Sequence, residues 1–204
     1  MKRTFQTEFL EAGCDEAGRG CLAGPVVAAA VILPVDFQCG ELNDSKQLSV
    51  NQRNILRERI EEESVCYGIG FVFPEEIDRI NILNASFLAM HKALNNMRLT
   101  PDFIAVDGNR FAPYKRIKHH CCIKGDANYM NIAAASVLAK TYRDAYMIQL
   151  HKEFPQYQWD KNKGYPTKSH RAGIEEFGSC LHHRKSFNLL PPQLSIDFEK
   201  AVSA

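Results

Sequence analysis

Gly13-Cys14-Asp15-Glu16-Ala17-Gly18-Arg19-Gly20 leads within a few residues to Pro25-Val26-Val27-Ala28-Ala29-Ala30-Val31-Ile32-Leu33. The stretch reads as a short strand over Phe9–Asp15, a glycine turn, and a longer apolar strand over Val26–Leu33. Two adjacent carboxylates at the end of an apolar segment repel each other unless a cation sits between them. Asp15 and Glu16 therefore point to a hard metal ion such as Mg²⁺. Gly18, Arg19 and Gly20 let bare backbone approach a ligand and offer N–H donors to an anion or a hydroxyl. Metal and close backbone together indicate phosphate chemistry.

Working outward, Ser49-Val50-Asn51-Gln52 is a capping-box pattern, and Ile55, Leu56 and Ile60 behind it predict a helix to about Glu63. Val65–Phe73 predicts a third strand. Pro74 suits the first turn of a short helix, and a second helix follows with Ile82, Leu83, Phe87, Leu88, Met90, Ala93, Leu94 and Met97. Phe103–Asp107 has the character of a buried strand, and His119–Ile123 of a further short one. A long helix is expected from Met130 to about Glu153, stopped before Pro155. Thr167 suits the cap of another, ending near Gly178. Strands first and strand–helix alternation later imply an α/β fold with a sheet of mixed direction.

The chain has 204 residues, 45% hydrophobic and 24% charged, and a net charge of +1, the balance of an ordinary globular protein. That length fits one domain over 1–204, with about 155–204 as a helical extension of it. No apolar run is long enough to span a bilayer, and Met1–Glu8 lacks the apolar core of a secretory signal, so a cytoplasmic location is expected. Seven cysteines, an odd number with no C-x-x-C pair, predict free thiols rather than a disulfide framework or a zinc site. Basic residues gather locally, at Lys115, Arg116, Lys118 and Lys124, and again from Lys161 to Lys185. This suits either a polyanion site or a solvated surface.

Asp107 ends an apolar strand ahead of Gly108, where α/β proteins place functional groups, although an aspartate there also serves as a turn cap. Asp126 stands just before the long helix, where taken alone it reads as a helix cap before it reads as a site carboxylate, and only the set of four acids at element ends favours the site. Ser136, Lys140 and Asp144 share one helix face. Lys140 and Asp144 form either a surface ion pair or part of a substrate groove, and spacing does not separate the two. Gly18-Arg19-Gly20-Cys21-Leu22-Ala23 fits the loose dinucleotide pattern, but a strand follows it where that fingerprint needs a helix. No G-K-[ST] sequence occurs, and the histidines lack metalloprotease spacing.

With these residues assembled, the chain resembles the ribonuclease HII (type-2 ribonuclease H) family over nearly its whole length. The resemblance rests on GCDEAGRGCLAGPVVAAAVIL from Gly13, Asn43-Asp44-Ser45-Lys46-Gln47-Leu48, Val106-Asp107-Gly108 and Lys124-Gly125-Asp126. It continues through Ala133–Lys140 with Arg143-Asp144, Gly164-Tyr165-Pro166-Thr167 and His183-Arg184-Lys185-Ser186-Phe187. Asn128–Asn131 departs from it, with no mechanistic consequence expected. The resemblance implies an RNase H-like α/β fold, a mixed sheet of about five strands, and a helical C-terminal part. It implies metal-binding carboxylates at Asp15, Glu16, Asp107 and Asp126, and ribonucleotide sensing by Gly18, Arg19, Gly20 and Tyr165. Lys46, Ser136, Lys140, Arg143, Arg184 and Lys185 are further candidate substrate contacts. The implied partner is an RNA–DNA hybrid or a ribonucleotide-containing DNA duplex. The implied cofactor is Mn²⁺ or Mg²⁺, two ions with substrate bound, and the implied state is a monomer. The products would carry 3′-hydroxyl and 5′-phosphate ends. Two other readings compete: a non-catalytic module that binds hybrid duplexes, and a different two-metal phosphodiesterase.

Overall fold

Seven consecutive buried residues, Val26–Ile32, form the strand around which the sheet is built. In a computed structural model, which describes residues 1–42 and 48–190, this is β2 of a five-stranded sheet. It lies antiparallel to β1 (Glu11–Ala17) on one side and to β3 (Cys66–Val72) on the other. Beyond β1 come β4 (Phe103–Asp107) and β5 (Lys118–Cys122), both parallel to their neighbours, giving the order β3-β2-β1-β4-β5. The expected mixed sheet is present. The residues from Asn43 to Gln47, including Lys46, and the tail from 191 lie outside the described residues.

Helices cover both faces. α1 (Val50–Glu63) opens on the expected capping box, with Ser49 and Gln52 each accepting the other's backbone N–H. The span α2 (Pro74–Asn95) is two helical pieces separated by Asn81 at φ 64°, as the separate readings at Pro74 and Ile82 anticipate. The Asn81 side chain caps the second piece by accepting the N–H groups of Leu83 (3.0 Å) and Asn84 (3.1 Å). α2 packs with β1–β3 around Ala28, Ala30, Ala89 and Ala93, small residues that let helix and sheet approach closely. On the opposite face lie α1 and α4 (Met130–His151), joined through Ala29, Val31, Leu56, Ile60 and Ala133–Ala135.

Asp126 does not cap the long helix. It sits in its own short helix, α3 (Gly125–Asn128), and the residue before α4 is Tyr129, which makes no side-chain cap. The first N–H groups of α4 are satisfied instead by the N-terminal segment, with Met130 and Asn131 donating to the Lys2 and Arg3 carbonyls at 2.8 and 3.2 Å. Asn131, in the segment that departs from the family pattern, has a structural part. Its buried amide donates to Glu11 Oε1 at 2.6 Å, and the same carboxylate accepts the N–H groups of Phe5 and Gln6. The N-terminus, β1 and α4 are thereby locked together.

After α4 the chain forms a 3₁₀ turn (Pro155–Tyr157), the short α5 (Trp159–Asn162) and α6 (Lys168–Phe177), capped by Thr167 as expected. Around Trp159, Tyr157, Met147 and Leu150 this part has its own cluster of buried side chains. Among the described residues, no helix is long and apolar enough to cross a membrane, and all seven cysteines are free.

The backbone of α4 lies directly against the sheet at Gly13. A Cβ there would lie 2.3 Å from the Asn131 carbonyl carbon and 2.5 Å from the Ile132 nitrogen, both backbone atoms. Gly13→Ala should therefore push α4 off β1 and cost about 2–3 kcal/mol. Thermal denaturation should show this as a fall in Tm of roughly 5–10 °C.

Candidate active site

The parallel pairing of β1 with β4 sets Cys14 beside Val106 and so brings Asp15 and Asp107, the next residues, to the same end of the sheet. Asp107 in turn pairs with Cys122. After that strand Lys124, at φ 55°, turns the chain into α3 and delivers Asp126. One oxygen each from Asp15, Asp107 and Asp126 lie within 4.8 Å of one another. Residues more than a hundred positions apart meet because three strand or helix ends coincide.

The acids are held by short hydrogen bonds. Asp15 Oδ1 accepts the Glu16 N–H at 2.7 Å, and Asp107 Oδ1 accepts the Gly125 N–H at 2.7 Å. The Ser136 hydroxyl on α4 bonds the Asp15 carboxylate. Asp15 and Asp126 are only 6% and 7% exposed. Burial raises the Asp15 pKa well above the usual carboxylate range, and the charges of Glu16 and Asp107 push the same way. Hydrogen bonds from Ser136 and Glu16 oppose these effects without cancelling them. Oxygen donors crowded so that ionisation is costly fit a hard divalent cation, which would remove the cost.

Glu16 stands apart from this cluster. Side chains alternate along a strand, so Glu16 leaves β1 on the face opposite Asp15, and its Oε1 meets Arg19 Nη1 at 3.2 Å. It nevertheless borders the same cavity of about 450 Å³, with Asp15, Asp107, Gly18–Gly20, Ser136, Lys140 and Tyr165. Of the four expected carboxylates, three cluster and the fourth lies at the rim.

The glycine turn is supported from beneath by two arginines. Arg143 and Arg184 were expected to face substrate, but both are fully buried and bond backbone carbonyls. Arg143 donates to Pro25 (3.0 Å), Ala23 (3.1 Å) and Lys163 (2.8 Å). Arg184 donates to Gly24 (3.0 Å) and Arg19 (2.9 Å), and burial pulls its guanidinium down to about 10. The reason is the irregular path of residues 18–25, whose carbonyls lack strand partners and are satisfied by planar, multi-donor guanidinium groups. Gly18 lies against this support at φ 94°, and a Cβ would fall 2.0 Å from Arg143 Nε.

Tyr165 projects into the cavity from a turn made by Lys163 (φ 49°) and Gly164 (φ 82°), with Leu22 N–H bonded to the Gly164 carbonyl at 2.8 Å. Its ring is 38% exposed, and its hydroxyl hydrogen-bonds the Cys21 thiol. Lys140 pairs with Asp144 at 2.8 Å, as the ion-pair reading has it, and its ammonium also lines the cavity, 5.4 Å from the Tyr165 ring centre. Lys185 is exposed, with its backbone N–H tied to Asp78. Sequence reasoning missed Cys21 and Asn162 as parts of this region. Asn162 Oδ1 accepts the Gly164 N–H at 2.8 Å, and nothing in a lone asparagine distinguishes that role.

The fold and the acid cluster define an RNase H-like α/β protein with a site suited to metal-dependent hydrolysis. The sequence model of ribonuclease HII matches residues 12–190. A ribonuclease HII from Christiangramia forsetii is 61% identical over 198 residues, 97% of this chain and 100% of that protein. Among solved structures, ribonuclease H2 from Pyrococcus horikoshii OT3 superposes with a TM-score of 0.72 at 27% identity, covering 88% of this chain and 94% of that one. The RNase HII of Archaeoglobus fulgidus, solved in complex with PCNA, gives a TM-score of 0.75 at 25% identity over 91% of this chain and 98% of that one. The chain belongs to the ribonuclease HII family and is accordingly a ribonuclease, a phosphodiester hydrolase.

The raised pKa of Asp15 gives a stability test. A carboxyl whose folded pKa lies above its unfolded value stabilises the metal-free protein at low pH, and that stability is lost as pH rises through the folded pKa. Asp15→Asn should therefore raise the Tm of the EDTA-treated protein near neutral pH by about 3 °C. Mn²⁺ should raise the Tm of the wild type and not of the variant. The wild-type increment should shrink as pH falls, because protons compete for the same oxygens. Thermal melts over a pH series, with and without Mn²⁺, check all three.

Proposed function

We propose that this ribonuclease is a two-metal endonuclease that hydrolyses the RNA strand of RNA–DNA hybrids and nicks duplex DNA at embedded ribonucleotides. The carrying observation is that Asp15 and Asp107, clustered with Asp126, line the same cavity as the Gly18–Gly20 turn and Tyr165. Asp15, Asp107 and Asp126 would hold the cations, and Glu16, bordering that cavity, supplies the fourth carboxylate. Bound divalent cations would supply an activated water for attack on the phosphodiester and charge stabilisation at the departing 3′ oxygen, leaving 3′-hydroxyl and 5′-phosphate ends.

The remaining groups position the substrate. Backbone at Gly18, Arg19 and Gly20 can hydrogen-bond the 2′-hydroxyl, the group that separates RNA from DNA. The Tyr165 hydroxyl approaches the same point while its ring packs on the next sugar. Lys140 offers a cation to the backbone phosphates at the cavity edge. Arg143 and Arg184, though buried, act on the same recognition by fixing the turn. A monomer working in the cytoplasm suits the seven free thiols. A purely binding module is disfavoured, since buried acids weaken attraction for a polyanion.

A duplex carrying one ribonucleotide tests this reading. Nicking beside that nucleotide with Mn²⁺ or Mg²⁺, abolished by EDTA, is expected. Tight binding without cutting would select the binding module, and cutting of all-DNA duplex would select a general phosphodiesterase. Duplex affinity should fall with salt at a log–log slope of about −0.9 per phosphate neutralised. Tyr165→Ala should slow cleavage roughly tenfold or more while changing duplex affinity less, read by single-turnover rates beside binding titrations.

A further inference from the structure

Behind Tyr165, and outside the cavity, three buried rings meet edge to edge. Trp159 and His170 are 0% exposed and His183 is 1% exposed. Their hydrogen bonds fix every ring proton. The Trp159 indole can only donate, and its Nε1 lies 2.9 Å from His170 Nε2, so that nitrogen is an acceptor. The His170 proton is then on Nδ1, which donates to the Tyr165 carbonyl at 2.9 Å. His183 Nδ1 accepts the Cys180 N–H at 3.0 Å, so its proton is on Nε2, aimed at the same His170 Nε2 from 3.2 Å. One lone pair of His170 thus receives two donors, and its single N–H is spent on Tyr165. Burial holds both imidazoles neutral, lowering His170 and bringing His183 down to about 4.

The contact joins two segments of the site. His170 belongs to α6 and tethers the Tyr165 turn. His183 is followed by Arg184, whose guanidinium holds the Arg19 and Gly24 carbonyls, and His183 itself bridges to Ala23. The Tyr165 turn and the glycine turn are therefore joined through one buried histidine pair. We infer that His170 and His183 are positioning residues for ribonucleotide recognition, with His170 Nδ1 setting where Tyr165 stands relative to the Gly18–Gly20 backbone. This inference rests on Tyr165 contacting substrate, as proposed above.

The two amides separate positioning from simple stability. In His170→Gln the side-chain oxygen reaches the Nε2 position and accepts from Trp159 and His183, but the donor to Tyr165 is lost. In His170→Asn the amide N–H takes the place of Nδ1 and keeps the Tyr165 bond, while the buried acceptor for Trp159 is lost. Positioning requires the two orders to be opposite. His170→Gln should have a Tm near wild type, retain the hydrogen-bonded indole N–H signal of the sole tryptophan in ¹H–¹⁵N spectra, and lose kcat on a one-ribonucleotide duplex by roughly tenfold with little change in KM. His170→Asn should be the less stable and the faster. Adding Tyr165→Ala to His170→Gln should slow cleavage no further than Tyr165→Ala alone. Wild-type kcat in His170→Gln, or activity that simply follows Tm across the two variants, overturns the inference. Wild-type cleavage by Tyr165→Ala alone would instead remove the reading beneath it.

Discussion

The parallel register of β1 on β4 is the constraint on which the site depends. It puts the ends of two buried strands side by side, so the carboxylates that follow Cys14 and Val106 must share a small volume whatever their mutual repulsion. No local propensity favours that outcome. It holds because β1 is clamped on its other edge by five paired positions with β2 and underneath by α4 at Gly13, where backbone meets backbone without an intervening side chain. Burial first, and the charges of Glu16 and Asp107 second, make Asp15 resist ionisation in the bare protein.

A second constraint governs the glycine turn. Residues 18–25 must cross from β1 to β2 by a path too irregular for ladder hydrogen bonds, and their carbonyls face inward. Arg143 and Arg184 answer this with four donations to carbonyls of that segment and a fifth to Lys163, an arrangement a lysine with its single ammonium could not reproduce. The Arg19 carbonyl is turned to Arg184 and the Gly18 carbonyl to the Cys21 N–H, and residues 18–20 line the cavity. The shape of this part of the cavity wall is thus set by buried charges behind it.

Much of this was legible in the sequence. The alternation of apolar runs with capping and breaking residues located all five strands and the principal helices, since Ser49, Pro74, Thr167 and Gly178 act through local geometry. The acids could be named because they stand at strand ends beside glycines. What could not be read is whatever depends on contacts distant in sequence. Arg143 and Arg184 look like any cations of a basic stretch, and only tertiary packing shows that they are interior. Asp126 looks like a helix cap because the N-terminal segment that actually caps α4 lies more than a hundred residues away. Glu16 was grouped with its neighbour by adjacency, although strand alternation sends the two to opposite faces.

The two halves of the site are built on opposite electrostatic terms, and this makes them separable. The carboxylate cluster is acidic and crowded, with Asp15 held toward its protonated form by burial and by the neighbouring acids. The support behind Tyr165 is neutral, since His170 and His183 fit together only with one proton each, and burial keeps them so. A His with a depressed folded pKa contributes stability that is complete above its unfolded value of 6.5 and falls away as pH drops toward the folded value of about 4. Asp15 moves the other way, losing its stabilising protonated form as pH rises. Acid therefore acts first against the histidine support while protonation relieves the bare acids. The histidine support is therefore intact at neutral pH, where the bare protein gains least from a protonated Asp15.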